Sequence, residues 1–121
     1  MIEKLDQSEG KVVGYRVSGR LTAADYDRIF ADAGGVIGEY GAIRMLCDME
    51  EFQGVELAAL WEDFEFGIKY GRSVERLAIV GDAAWEKWIA RLAVPLYAHE
   101  GRYFPESERD AAWVWLREGT G

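Results

Sequence analysis

Short apolar segments alternate along this chain with longer segments whose apolar residues recur every three or four positions. The short segments are typical of strands, and the longer ones are typical of helices that cover a sheet with one face. The pattern predicts strands over residues 1–5, 12–17, 43–47, 76–80 and 102–104, and helices over residues 23–40, 55–70, 85–96 and 108–115. Because helices between strands make crossover connections, we expect an α/β fold with a mixed, mainly parallel sheet flanked by helices, in the order ββαβαβαβα.

The first predicted helix has recognisable signals at both ends. Thr22 precedes Asp25 by three positions, which is the spacing of a capping box. Gly41 is predicted to end the helix, since glycine commonly follows a helix C-terminus. Gly34 and Gly35 lie inside it and are expected to weaken or bend it.

The last predicted helix has a similar signal at its start. Ser107 and Asp110 again show capping-box spacing, so Ser107 is predicted to cap this helix. Its apolar residues are expected to be Ala111, Val114 and Trp115.

Composition limits the class of protein. The chain has 121 residues, which fits a single domain over 1–121, and half of them are hydrophobic. Asp and Glu outnumber Lys and Arg by 22 to 14, and a net charge of −8 opposes binding to nucleic acid. One cysteine allows no intramolecular disulfide, and the N-terminus lacks the pattern of a signal peptide. We therefore expect a cytoplasmic protein with at most peripheral membrane contact.

In mainly parallel sheets, ligands bind beyond the carboxyl ends of the strands, and an acidic segment follows the strand predicted over 43–47. Asp48, Met49, Glu50 and Glu51 are predicted to form a solvated loop that turns the chain at this end and that could serve in regulation. Its negative charge would be favoured near a helix N-terminus. No calcium-loop spacing surrounds these acids, so no metal is expected.

The catalytic arrangements that the chain could offer are weak. Cys47 and His99 could form a nucleophile and a base, but Cys47 lies in an apolar strand, where a cysteine is commonly inert packing. No Gly-x-Ser-x-Gly segment supports a serine nucleophile. We expect no enzymatic activity and no cofactor.

The helices predicted over 55–70 and 85–96 carry more large apolar side chains than most helices of this length. One interpretation is that these faces only cover the sheet; the other is that they leave a cleft for an apolar or lipid-like ligand. The predicted ligand-binding residues are Phe52, Leu60, Trp61, Phe64, Trp85, Trp88 and Leu92.

Several short segments, in order and spacing, resemble the SpoIIAA-like proteins of the STAS/Sec14-like group over nearly the whole chain. They are 21–26 (LTAADY), 48–52 with Gly54, 60–63 (LWED), 78–82 (AIVGD), 85–88 (WEKW), 103–104 (YF) and 115–116 (WL). The resemblance implies a mixed sheet flanked by helices. It also implies either a regulatory, partner-binding role or a role as carrier of an apolar ligand.

One departure from the family pattern bears on regulation. Anti-sigma-factor antagonists of the STAS type place a phosphorylatable serine in an Asp-Ser-Ser/Thr-Gly motif after the third strand, whereas residues 51–55 here read EFQGV. No hydroxyl is available at that place to accept a phosphoryl group.

These observations leave two functions open. We expect a non-enzymatic domain that reversibly binds a small apolar or lipid-like ligand between the helices predicted over 55–70 and 85–96. The alternative is a protein-binding regulator of the antagonist type that lacks the serine. A homodimer could form through exposed aromatic residues or a sheet edge.

Overall fold

The computed structural model of the protein describes residues 1–55, 69–82, 84 and 98–120. It contains five strands, β1 (Ile2–Lys4), β2 (Val12–Leu21), β3 (Ile43–Val55), β4 (Val74–Gly81) and β5 (Glu100–Pro105). The α-helices in these ranges are α1 (Ala23–Tyr40) and α2 (Arg109–Arg117). Two single 3₁₀ turns, Gly71–Ser73 and Glu106–Glu108, precede β4 and α2.

The strands form one sheet in the order β1-β2-β3-β4-β5. β1 is antiparallel to β2, and each remaining pair is parallel. The prediction of a mixed, mainly parallel sheet is therefore confirmed. The helix predicted over 85–96 lies outside the described residues, as does the one predicted over 55–70 apart from residues 55, 69 and 70.

Helix α1 begins and ends as its sequence predicts. The Asp25 amide donates to the Thr22 hydroxyl at 3.2 Å, and the Thr22 amide donates to the Asp25 carboxylate at 3.0 Å, which completes the capping box. Gly41 ends the helix in the left-handed region at φ 80°. The helix continues through its paired glycines without interruption, and a Cβ at Gly34 would lie 2.7 Å from the Tyr70 hydroxyl. Gly34 thus makes room for a neighbouring ring.

Alternating side chains give the sheet two apolar faces, each covered by one of the described helices. The core on the α1 side consists of Ile2, Val13, Tyr15, Val17, Leu21, Tyr26, Ala33, Ile43, Met45, Val74, Leu77, Ile79 and Ala98. The core on the α2 side consists of Val12, Leu46, Ala78, Val80, Phe104, Ala112, Trp113, Trp115 and Leu116. Within β3 the two faces separate Met45 from Leu46, as the period of two requires.

The predicted start of the last helix is wrong, and its predicted inner face is right only for Trp115. Ser107 lies in the 3₁₀ turn, and α2 begins at Arg109 after Glu108, without a side-chain cap. Val114 is 65% exposed, and Ala111 is exposed as well. The buried residues are Ala112, Trp113, Trp115 and Leu116. Contacts with the sheet, rather than a local cap, set the position and rotation of this helix.

Two arginines of the sheet bind the C-terminal carbonyl groups of α2. The Arg44 guanidinium donates to the carbonyl oxygens of Leu116 at 3.0 Å and Glu118 at 2.6 Å. Arg76 donates to the Trp115 carbonyl oxygen at 2.6 Å. Carbonyls at the end of a helix lack the usual amide partner four residues on, although the Trp115 carbonyl also accepts from the Glu118 amide at 3.3 Å. Cations are favoured at this negative end of the helix dipole. The arginines therefore fix this end of α2 on the sheet.

Gly14 of β2 provides the space into which Trp113 packs. A Cβ at this position would lie 2.4 Å from Cη2 and 2.7 Å from Cζ2 of Trp113. Since real side chains do not approach so closely, the ring requires a glycine beneath it.

We predict that Gly14→Ala lowers the free energy of unfolding by about 2 kcal/mol, because it overpacks the core under Trp113. Gly38→Ala is the matched control, since a Cβ there meets no atom within 4 Å and alanine favours the helix. Chemical denaturation of both variants checks the expectation. Equal stability of the Gly14→Ala variant and the parent protein would contradict it.

Candidate functional site at the end of strand β3

The acidic segment predicted as a loop is part of strand β3. Asp48, Met49, Glu50 and Glu51 all lie within this strand, which continues to Val55. The prediction was wrong because β2 also continues past residue 17, to Leu21, and gives the second half of β3 a partner. Pairing with β4 ends at Asp48, opposite Val80, so the segment extends beyond the sheet as a two-stranded ribbon with β2.

The ribbon has two irregularities, and the first explains how adjacent acids can both face solvent. The register with β2 shifts between Arg16 and Ser18 and again between Gly19 and Arg20, and β3 has the extra residue each time. The first shift places Met49 and Glu50 opposite one residue of β2. Glu50 and Glu51 are therefore both exposed, whereas Met49 and Phe52 are partly buried against the core on the α1 side.

Asp48 is fully buried at the point where the ribbon leaves the sheet. Its Oδ2 lies 2.8 Å from Nη2 of Arg109, and its Oδ1 accepts a hydrogen bond of 3.1 Å from the Glu50 amide. Nε of Arg16 lies 3.6 Å from the same Oδ2. A buried carboxylate is stable only when it is paired and hydrogen-bonded, and both requirements are met here.

Arg109 connects the buried acid with an exposed one. Its Nη2 also donates to Oε2 of Glu50 at 3.1 Å, so one nitrogen serves two carboxylates. Glu106, in the turn before α2, lies beside them. Partial desolvation, a hydrogen bond with Glu50 and the negative charges of Glu50 and Asp48 raise the pKa of the Glu106 carboxyl, while Arg109 opposes this effect.

We call Glu50, Glu51 and Glu106 the acidic edge. An open cleft of about 340 Å³ adjoins it, lined by Ser18, Gly19, Glu50, Glu51, Phe52 and Gln53. The cleft combines carboxylates with one aromatic side chain, that of Phe52. Within the described ranges no three His, Cys, Asp or Glu side chains are grouped so as to hold a metal ion. The chemistry that this surface offers is electrostatic recognition of a cationic group.

The predicted ligand-binding residues cannot be placed together, because only Phe52 lies in the described part of the chain. The others, Leu60, Trp61, Phe64, Trp85, Trp88 and Leu92, lie outside it. The pocket between the two intermediate predicted helices thus stays a prediction.

The structure separates the two residues of the weak nucleophile-and-base hypothesis. Cys47 pairs with Ile79 of β4, whereas the His99 amide donates to the carbonyl of Val74. Five residues of an extended strand span about 16 Å, so the thiol and the imidazole belong to opposite ends of the sheet. A Cys47–His99 dyad does not form.

Sequence reasoning missed Arg109. The sequence did contain a signal: Arg109 lies in the first turn of a helix, where a positive charge is unfavourable unless an anion lies nearby. The second signal was Asp48, an aspartate directly after the apolar segment 43–47, which is the partner of Arg109. Neither signal identifies the other without the fold, because 60 residues separate them in the sequence.

The mainly parallel sheet, with a buried acid of β3 bound by the last helix, defines a small mixed α/β domain. The family model described as SpoIIAA-like matches residues 12–117, and the chain belongs to this family. This finding confirms the resemblance noted in the sequence.

A solved structure agrees with the assignment. An uncharacterized protein of the DUF3478 family from Shewanella loihica PV-4, with a SpoIIAA-like fold, is 25% identical to this chain. The match has a TM-score of 0.77 and covers 96% of this chain and 92% of the other. None of the curated proteins matches this chain. In the described residues no helix is long and apolar enough to cross a membrane.

A double-mutant cycle tests the pair of Asp48 and Arg109. We expect Arg109→Met to lower the free energy of unfolding by about 3 kcal/mol, because it leaves a buried carboxylate without its closest cation. Combined with Asp48→Asn, it should cost less than the sum of the two single changes. Denaturant unfolding of the four proteins measures the coupling.

The control for this cycle is Arg16→Gln. Arg16 is 41% exposed and lies farther from the Asp48 carboxylate, so we expect a loss below about 1 kcal/mol. Additive effects of Asp48→Asn and Arg109→Met would show that the pair does not hold α2 to β3.

Proposed function

We propose that this protein is a non-catalytic regulatory module that binds a protein partner through the acidic edge. The observation that carries the proposal is the fixed position of exposed carboxylates on a strand whose base is held by a buried ion pair. Glu50 is 47% exposed and bound to Arg109, while Glu51 is exposed on the paired ribbon of β2 and β3. Preorganised charges bind a partner at a lower entropic cost than charges on a free loop.

The charge of this surface specifies the chemistry of the partner. The three carboxylates of the acidic edge outnumber the one guanidinium beside them, that of Arg109, so this surface is negatively charged. A partner surface rich in Lys or Arg would complement it. Complementary charges of this kind speed association, and salt weakens their effect. The complex should therefore dissociate more readily as ionic strength rises.

The family resemblance supports a regulatory role at this place. The segment of residues 51–55, which corresponds to the phosphorylation motif of related antagonists, has no hydroxyl group and lies on the ribbon beside Glu50. A permanent carboxylate would supply there the negative charge that relatives gain by phosphorylation. In this proposal the module is constitutively charged and is regulated by the abundance of its partner.

Glu51→Lys is the sharpest test, because among the described residues Glu51 forms no ion pair whose loss would disturb the fold. We expect the tagged variant to lose, in affinity purification from the cells of origin, partners that the parent protein retains. Glu50→Lys should lose the same partners, although it also breaks the contact with Arg109.

Glu39→Lys is the matched control, since it makes the same change of charge on the exposed end of α1. Quantitative mass spectrometry compares the four purifications, and circular dichroism checks that each variant is folded. Recovery of the same proteins with Glu51→Lys as with the parent chain would refute the acidic edge as a binding surface.

We propose, as a second function, reversible binding of an apolar or lipid-like ligand. Phe52 supports it, because this ring packs partly against the core and also lines the open cleft beside the acidic edge. An aromatic residue that borders both core and solvent can contribute one wall of an apolar site. The remaining walls would come from the residues predicted between the two intermediate helices.

Mass spectrometry of the purified protein, under native conditions and after solvent extraction, tests this second function. We expect a recurring apolar molecule at near-stoichiometric amounts, and Phe52→Ala should reduce it because the wall is lost. A protein that stays empty after incubation with a panel of lipids would contradict ligand binding. A cytoplasmic location and a homodimer are consistent with both proposals and stay predictions.

A further inference from the structure

A second cleft lies on the α1 side of the sheet, between the edge strand β1 and helix α1. It has a volume of about 500 Å³, within the usual range of small-molecule sites. Its lining consists of Ile2, Lys4, Tyr15, Arg28, Ala31 and Asp32. The acidic edge shares none of these residues, so the two surfaces are separate.

Three side chains that line this cleft, those of Lys4, Tyr15 and Asp32, contact one another in a polar network. Tyr15 is 2% exposed, and its hydroxyl donates to Oδ2 of Asp32. Lys4 binds the other oxygen of Asp32 at 3.2 Å. Burial, together with the hydrogen bond to Asp32 and its charge, raises the pKa of the Tyr15 phenol, which therefore stays a neutral donor. Both oxygens of Asp32 are thus occupied.

Arg28 provides a cation that this network does not use. It stands one helical turn before Asp32 on α1 and is exposed, yet in the described part of the chain it forms no ion pair with that carboxylate or any other. The lining therefore contains two cations and one anion, a local excess of one positive charge in a protein of net charge −8.

We propose that this cleft binds the carboxylate group of a small monoanionic ligand. The planar guanidinium of Arg28 matches the geometry of a carboxylate with two parallel hydrogen bonds, and Lys4 adds a second positive charge at the cleft. The single excess charge matches one carboxylate, because a bound monoanion leaves the charged lining neutral whereas a dianion leaves it with an uncompensated negative charge. This inference is independent of the function proposed above.

Nuclear magnetic resonance of the ¹⁵N-labelled full chain tests the site, with sodium acetate as the probe and sodium chloride holding the ionic strength constant. We expect saturable shifts of the Lys4, Arg28 and Asp32 amide signals with acetate and weaker binding of inorganic phosphate. Arg28→Gln should weaken acetate binding about tenfold, because it removes the guanidinium fork.

Arg20→Gln is the control, since Arg20 is exposed at the end of β2 and does not line the cleft. It should bind acetate as the parent protein does. Shifts that do not saturate, or that are the same in Arg28→Gln, would overturn the site. Phosphate binding equal to or tighter than that of acetate would overturn its assignment to a monocarboxylate.

Discussion

The buried carboxylate of Asp48 determines how strand β3 and helix α2 are joined beside the acidic edge. A charge without solvent must be compensated, and Arg109 on α2 provides the closest cation at 2.8 Å. The same contact fixes the first turn of α2, while Arg44 and Arg76 hold the other end of the helix through its terminal carbonyls. The helix that covers one face of the sheet is thus bound electrostatically at both ends and by apolar packing between them.

This arrangement also explains why the acidic edge keeps its geometry. Oδ1 of Asp48 accepts from the Glu50 amide, and Arg109 reaches the Glu50 side chain, so both the backbone and the side chain at this position are fixed. The ribbon of β2 and β3 is otherwise held by backbone pairing, with one register shift at Met49 and Glu50 and a second after Phe52. Irregularities of this kind re-aim side chains, and here the first exposes two successive acids. Structure and proposed function therefore depend on one buried pair.

Local signals in the sequence were sufficient for much of the fold. The capping box at Thr22 and Asp25, the terminal Gly41 and the sheet strands all follow from periodicity and short-range chemistry. The length of β3 and the start of α2 did not, because long-range partners determine both. In the sequence, the adjacent acids Glu50 and Glu51 suggest a turn, because the bulge in β3 that exposes both of them depends on pairing with β2. Ser107 likewise suggests a helix cap, because the contact of Arg109 with Asp48 is not visible in the sequence. Site residues were found where they follow the apolar part of a strand, as in β3, and missed where they belong to a distant helix, as with Arg109.

Amide hydrogen exchange tests most directly whether Arg109 and Asp48 organise this end of the domain. We expect the Glu50 amide to be protected in the parent protein, as is the sheet portion of β3 at Met45 and Leu46. In the Arg109→Met variant, protection should fall at Glu50 and in the first turn of α2 while the sheet portion keeps its protection. A Glu50 amide that exchanges like an unstructured loop in the parent protein, or one that Arg109→Met leaves unchanged, would contradict the central role of this ion pair.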